Sequence, residues 1–143
     1  MKKLAIIALA TTVLTGAALA AAVAIPFWAD GGVIAGFVGI KNTTSSDIEA
    51  TIAYFDDAGD SQGGGTFLFP ADVGWSFRPA TADPGNEGDA TAVPESSGVA
   101  GSALLTYPDP STDIVARYVQ VTGGGQHAYL APEIGRASCR ERV

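Results

Sequence analysis

The octapeptide Ile48–Phe55, I-E-A-T-I-A-Y-F, alternates with a period of two. Ile48, Ala50, Ile52 and Tyr54 fall on one face, and Glu49, Thr51, Ala53 and Phe55 on the other. Successive side chains point to opposite sides in an extended chain, so this segment reads as a strand with one face toward a core. It stops at Asp56-Asp57-Ala58-Gly59-Asp60, a run of turn formers. The same grammar recurs along the chain, and no segment carries the apolar repeat of an amphipathic helix.

Further strands are expected over residues 23–28, 33–42, 66–69, 75–78, 102–107, 114–121 and 127–130. Pro26 assigns the first of these to a sheet edge or a bend. The strands at 33–42 and 48–55, joined by the polar run Asn42-Thr43-Thr44-Ser45-Ser46-Asp47, are expected to pair as neighbours. Trp75 and Phe77 share a face, expected to be the core side. In residues 114–121, Val115, Val119 and Val121 share one face, and Ile114, Ala116 and Tyr118 the other. Residues 80–98 show no periodicity and form the longest irregular stretch, a length that points to a functional or disordered loop. Seven or eight short strands separated by turns predict an all-β fold, a single antiparallel β-sandwich, with a small β-barrel as the alternative.

The two ends differ from this pattern. Lys2 and Lys3, an apolar run over residues 4–14 and the small-x-small triplet ending at Ala20 have the layout of a secretory signal peptide. Cleavage after Ala20 is expected, with Ala22 and Ala24 as alternatives. An uncleaved membrane anchor is the competing reading, against which Pro26 and the short apolar run weigh. Residues 133–143, E-I-G-R-A-S-C-R-E-R-V, hold three of the eight basic residues and the one cysteine. They resemble the forward translation of a common short-read sequencing adapter, in which the next codon is a stop. That resemblance makes Cys139, Arg136, Arg140 and Arg142 foreign to the protein. The domain organisation expected is therefore signal peptide 1–20, β-sandwich 21–132 and a non-native tail 133–143.

Composition bounds the partners. A formal charge of −7 disfavours nucleic acid, which requires clustered Lys and Arg. Within residues 21–132 the only basic side chains are Lys41, Arg78 and Arg117. That segment holds no cysteine, so no disulfide braces it.

Four short pieces carry a family likeness: Ile25-Pro26-Phe27, Gly39-Ile40-Lys41-Asn42-Thr43-Thr44, Tyr54-Phe55-Asp56 and Arg117-Tyr118-Val119-Gln120-Val121. In this order they resemble small secreted bacterial immunoglobulin-like β-sandwich domains of uncharacterised function. The resemblance spans most of residues 25–130, implies a sandwich, and brings no catalytic residues with it.

Candidate chemistry is sparse. Asp56, Asp57 and Asp60 resemble half of a calcium loop, since calcium takes several oxygen ligands from carboxylates on a turn; a solvated hairpin turn is the competing reading. Ala58 occupies a ligand position, however, and no Glu follows at EF-hand spacing. Asp83, Asn86, Glu87 and Asp89 in the long loop are further oxygen donors. His127 is the single histidine and has no G-x-S-x-G nucleophile elbow to serve. Trp28, Trp75, Tyr107 and Tyr118 are sugar-stacking candidates where exposed and core residues where buried. Asn42-Thr43-Thr44 fits the N-glycosylation pattern, discounted because the export signal is of bacterial type. Neither Gly63-Gly64-Gly65 nor Gly123-Gly124-Gly125 opens a helix, as phosphate binding by a glycine loop requires.

The reading that follows is a secreted, cell-surface or periplasmic structural β-sandwich. It is not an enzyme, has no obligatory cofactor and keeps no stable membrane insertion after signal cleavage. Self-association through edge strands is the expected mode of action. The alternatives are a module binding calcium or an extracellular glycan and, behind these, a small secreted hydrolase using paired carboxylates.

Overall fold

The computed structural model describes residues 21–108, 114–122, 125–131 and 133–134. The expected signal peptide, the turn after Pro108, Cys139 and the rest of residues 135–143 lie outside the described residues.

Among the described residues nine strands form two antiparallel sheets. They are β1 (Ala21–Ala29), β2 (Ala35–Asn42), β3 (Ile48–Phe55), β4 (Ser61–Phe69), β5 (Gly74–Phe77), β6 (Ala100–Tyr107), β7 (Ile114–Thr122), β8 (Gly125–Ala131) and β9 (Glu133–Ile134). The first sheet has the order β4-β3-β6-β1-β9 and the second β5-β2-β7-β8. Two open sheets make a sandwich, and the barrel alternative is set aside. Helical structure among the described residues is limited to a single turn, α1 (Pro84–Glu87), and a 3-10 segment at Gly88–Ala92.

Alternation decides which side chains meet between the sheets. Ile48, Ala50, Ile52 and Tyr54 of β3 all point inward. They join Val23, Ile25 and Trp28 of β1 and Ala103, Leu105 and Tyr107 of β6. From the second sheet come Val38, Ile40, Phe77, Ile114, Ala116 and Tyr118. Interdigitation of two such apolar faces is what holds a sandwich together. In β7 it is the Ile114, Ala116 and Tyr118 face that turns inward, leaving Val115 half exposed. Aromatic pairs reinforce the core: Trp28 stands edge-on to Tyr54 at 5.7 Å, and Trp75 lies against Phe69 at 5.2 Å.

One expectation is corrected. The strands at 33–42 and 48–55 are not neighbours: β2 belongs to the second sheet and β3 to the first. Asn42, fully buried at the end of β2, fastens the connection between them. Its amide nitrogen donates to the carbonyls of Ser46, Phe69 and Pro70 at 2.9, 3.2 and 3.0 Å. Its Oδ1 accepts from Thr44 N at 2.9 Å and from Thr44 Oγ1 at 2.8 Å. One side chain thus holds the connection and ties it to the end of β4. Of the two places expected for Pro26, a sheet edge or a bend, it takes the bend, in the bulge of β1 between Ile25 and Trp28.

β4 is longer than its sequence pattern, because Gly65, Gly64 and, past a bulge, Ser61 continue the ladder with β3. Gly64 has φ +127°, and a Cβ there would stand 2.1 Å from the Ile52 carbonyl oxygen. Close passage of two backbones, not a free turn, accounts for this glycine.

Candidate functional site

The 56–60 turn is braced by its own first residue. Asp56 Oδ1 accepts from Ala58 N at 2.9 Å and from Asp60 N at 2.8 Å, while Asp56 N donates to Asp60 O at 2.9 Å. Gly59 takes φ +86°, which closes the hairpin. Asp57 and Asp60 stand exposed at the tip. The three proposed calcium ligands therefore share one turn, with Asp56 serving as its internal cap. Among the described residues no three His, Cys, Asp or Glu side chains group as a metal site.

The long 80–98 segment is well anchored. It passes from the end of β5, at the rim of the second sheet, to the outer edge of β4 in the first. Asp30 is buried and receives Arg78 through Nε at 2.9 Å and through a second guanidinium nitrogen; Ala80 N donates to its other oxygen at 3.3 Å. This is the one ion pair among the described residues. The Asp30 hydrogen bond holds the Arg78 pKa above its ordinary value, against the opposing effect of desolvation. Glu87, also buried, accepts from Arg78 N at 2.7 Å and from Asp83 N at 3.1 Å. Farther on, Ser96 N donates to Pro79 O and Ser97 N to Gln62 O, which covers the start of the β4 edge. Ala90 and Val93 plug into the core.

Tyr54 completes this fastening, donating from its hydroxyl to Pro94 O at 2.9 Å. Burial raises its pKa well above the tyrosine range, with Glu95 and Glu87 adding to the effect. Burial likewise raises that of Tyr118, whose hydroxyl accepts from Ala29 N and donates to Ala29 O, each at 2.9 Å. Trp28 Nε1 donates to Ser102 O at 3.2 Å. Trp28, Tyr107 and Tyr118 are buried and Trp75 is half-buried against Phe67 and Phe69, so none of the four forms an exposed stacking platform. Asn42 is 0% exposed with its amide fully engaged, which removes it as a glycan acceptor. His127 lies on β8 opposite Gln120 in the register.

The feature that sequence reading missed lies on the outer face of the second sheet. A trough of about 380 Å³ is lined there by Gly39, Lys41, Gly74, Ser76, Val115 and Arg117. Gly39 pairs with Arg117, and Lys41 with Val115, so the two cations are diagonal neighbours on adjacent strands. Such positions stand about 7–8 Å apart. A Cβ on Gly39 would come 3.3 Å from Arg117 Cγ; its absence lets the arginine stem lie along the sheet. Gly74 leaves similar room beside Lys41 Cδ, and Lys41 Nζ donates to the Asp72 carbonyl at the rim. No Asp or Glu occurs anywhere in β2, β5, β7 or β8. In the sequence this appears only as two isolated basic residues 76 positions apart, 117 minus 41.

Compared with protein-family models, with curated proteins and with solved structures, the chain matches none. The reading of function therefore rests on the geometry above.

Proposed function

We propose that this chain is an exported structural β-sandwich that works by contact with its neighbours in the cell envelope or matrix, not by catalysis. The observation that carries the reading is how the chemistry-bearing side chains are spent. Asp30, Glu87 and Asp56 each brace backbone or a cation, and Tyr54, Trp28 and Tyr118 each fasten one element to another. Carboxylates used as braces at separate places do not form the facing pair that glycoside hydrolysis needs. The exposed groups left over suit recognition of a surface.

The register of β1 bears on where a signal peptide would be cleaved. Ala21 pairs with Tyr107 and Val23, nearly fully buried, pairs with Leu105. Cleavage after Ala24 removes four residues paired with β6, Ala21 to Ala24, which cleavage after Ala20 keeps. The adapter reading of residues 133–143 is compatible with β9, because strand pairing uses backbone groups that any sequence supplies.

The test is expression of the full chain in a bacterium, with intact-mass analysis of the recovered protein and sedimentation velocity over a concentration series. The expected result is an exported product starting at Ala21 that associates as concentration rises. An unprocessed cytosolic chain overturns the export reading, and a product monomeric at about 1 mM overturns action by self-contact.

A further inference from the structure

We propose that the cationic trough on the second sheet receives the 56–60 turn of another copy of this chain, giving head-to-tail association. The inference deepens the contact reading above and rests on it. Three observations lead to it.

Charge is segregated. The chain carries −7 overall, yet the four strands of the second sheet hold Lys41 and Arg117 and no carboxylate. Arg78, the remaining basic residue of the described segment, is consumed by Asp30. Two cations at diagonal positions repel each other unless an anion lies between them. The trough is thus the one place on the described surface that favours an acidic occupant.

The occupant is present on the same molecule, in a rigid form. Asp57 and Asp60 project from a turn that Asp56 already holds by two side-chain hydrogen bonds. A preorganised tip loses little conformational entropy on docking. Its two carboxylates match the two cations of the trough in number and sign, and arginine accepts a carboxylate through a planar pair of N–H groups.

Position forbids the contact within one molecule. Phe55, next to the turn, pairs with Ser102, and the adjacent Gly101 pairs with Trp28 near the end of β1. β2 starts at that same end, since Gly36 abuts the Ala29 carbonyl, and it runs away toward Lys41 and Asn42. Turn and trough therefore lie on different sheets and toward opposite ends of the sandwich. A contact between two unlike patches is heterologous, and one that does not close into a ring propagates as a filament.

Complementation by two neutralised variants of the full chain tests this. One carries Lys41→Gln with Arg117→Gln, the other Asp57→Asn with Asp60→Asn. All four positions are exposed, and the backbone N–H of Asp60 that Asp56 holds is unchanged. Circular dichroism melts serve to confirm that both variants fold. Each alone is expected to associate at least about tenfold more weakly than the parent. Mixed, they are expected to form a one-to-one complex that grows no further, because one intact trough meets one intact turn. Native mass spectrometry reads the complex directly. Parent-like association of either variant alone overturns the trough contact and leaves association through another surface standing. Absence of the mixed complex overturns the trough contact as well. A parent that stays monomeric overturns the trough contact together with the contact reading beneath it.

Discussion

Asn42 shows how much one buried polar side chain can determine. Its amide nitrogen serves three carbonyls and its oxygen serves Thr44, so it holds the path from β2 to β3 against the end of β4. Asn42→Asp keeps the shape but turns a carboxylate toward the carbonyls of Ser46, Phe69 and Pro70. We expect a loss of at least about 3 kcal/mol at neutral pH, read from the urea midpoint, because buried acceptors then lack a donor. Tyr54 gives a prediction in pH. Its folded pKa lies above the ordinary tyrosine value of about 10. Above that pH the unfolded chain releases the proton and the folded chain keeps it, so stability is full below about pH 10 and falls as pH rises toward the folded pKa. The slope due to this one group is about 1.4 kcal/mol per pH unit. Tyr54→Phe is expected to remove that share of the alkaline slope and to cost about 1 kcal/mol at pH 7 through the lost bond to Pro94. Urea titrations from pH 7 to 11 check both.

At the scale of elements, the 80–98 segment is a strap rather than a free loop. Its ends are held by Asp30, Arg78 and Glu87 on one side and by Gln62 and Tyr54 on the other. Asp30→Ala leaves the Arg78 guanidinium, one-fifth exposed, without its carboxylate and Ala80 N without an acceptor. A destabilisation of about 3 kcal/mol is expected. Hydrogen exchange is expected to quicken in residues 78–98 first, and uniform acceleration through both sheets would argue against a strap that opens by itself. The strands were legible because each obeys a local rule: β3 was read to its exact ends from alternation, and β7 to within one residue. β4 was read short because its glycines show no alternation, although Gly64 and Gly65 pair with β3. The strap has no signature in the sequence because its order comes from partners 34 to 50 residues distant, such as Gln62 with Ser96 and Asp30 with Ala80, and these leave no periodic mark.

At the scale of the molecule, β9 contributes two paired residues to the rim of the first sheet. Ending the chain after Pro132 is therefore expected to change stability by less than about 1 kcal/mol, since two edge residues add few hydrogen bonds of modest net worth. A larger loss in thermal or urea melts would mean that residues 133–143 belong to the protein. The charge distribution is a property of the same scale. Neither Lys41 nor Arg117 signals a site in isolation, and the trough exists only because β2 and β7 are paired with Gly39 opposite Arg117.

From the sequence alone came the all-β class, the strands that alternate, the turns between them and the acidic character of the surface. Each of these depends on neighbours a few residues apart, where backbone geometry and side-chain polarity act directly. Tertiary structure decided which face of β7 is inside, that β2 and β3 part to different sheets, and that Asp30 and Glu87 are braces. It also brought two distant cations together over a glycine floor. Those outcomes depend on which strands pair, and pairing is settled by burial summed over the whole core rather than by any local pattern.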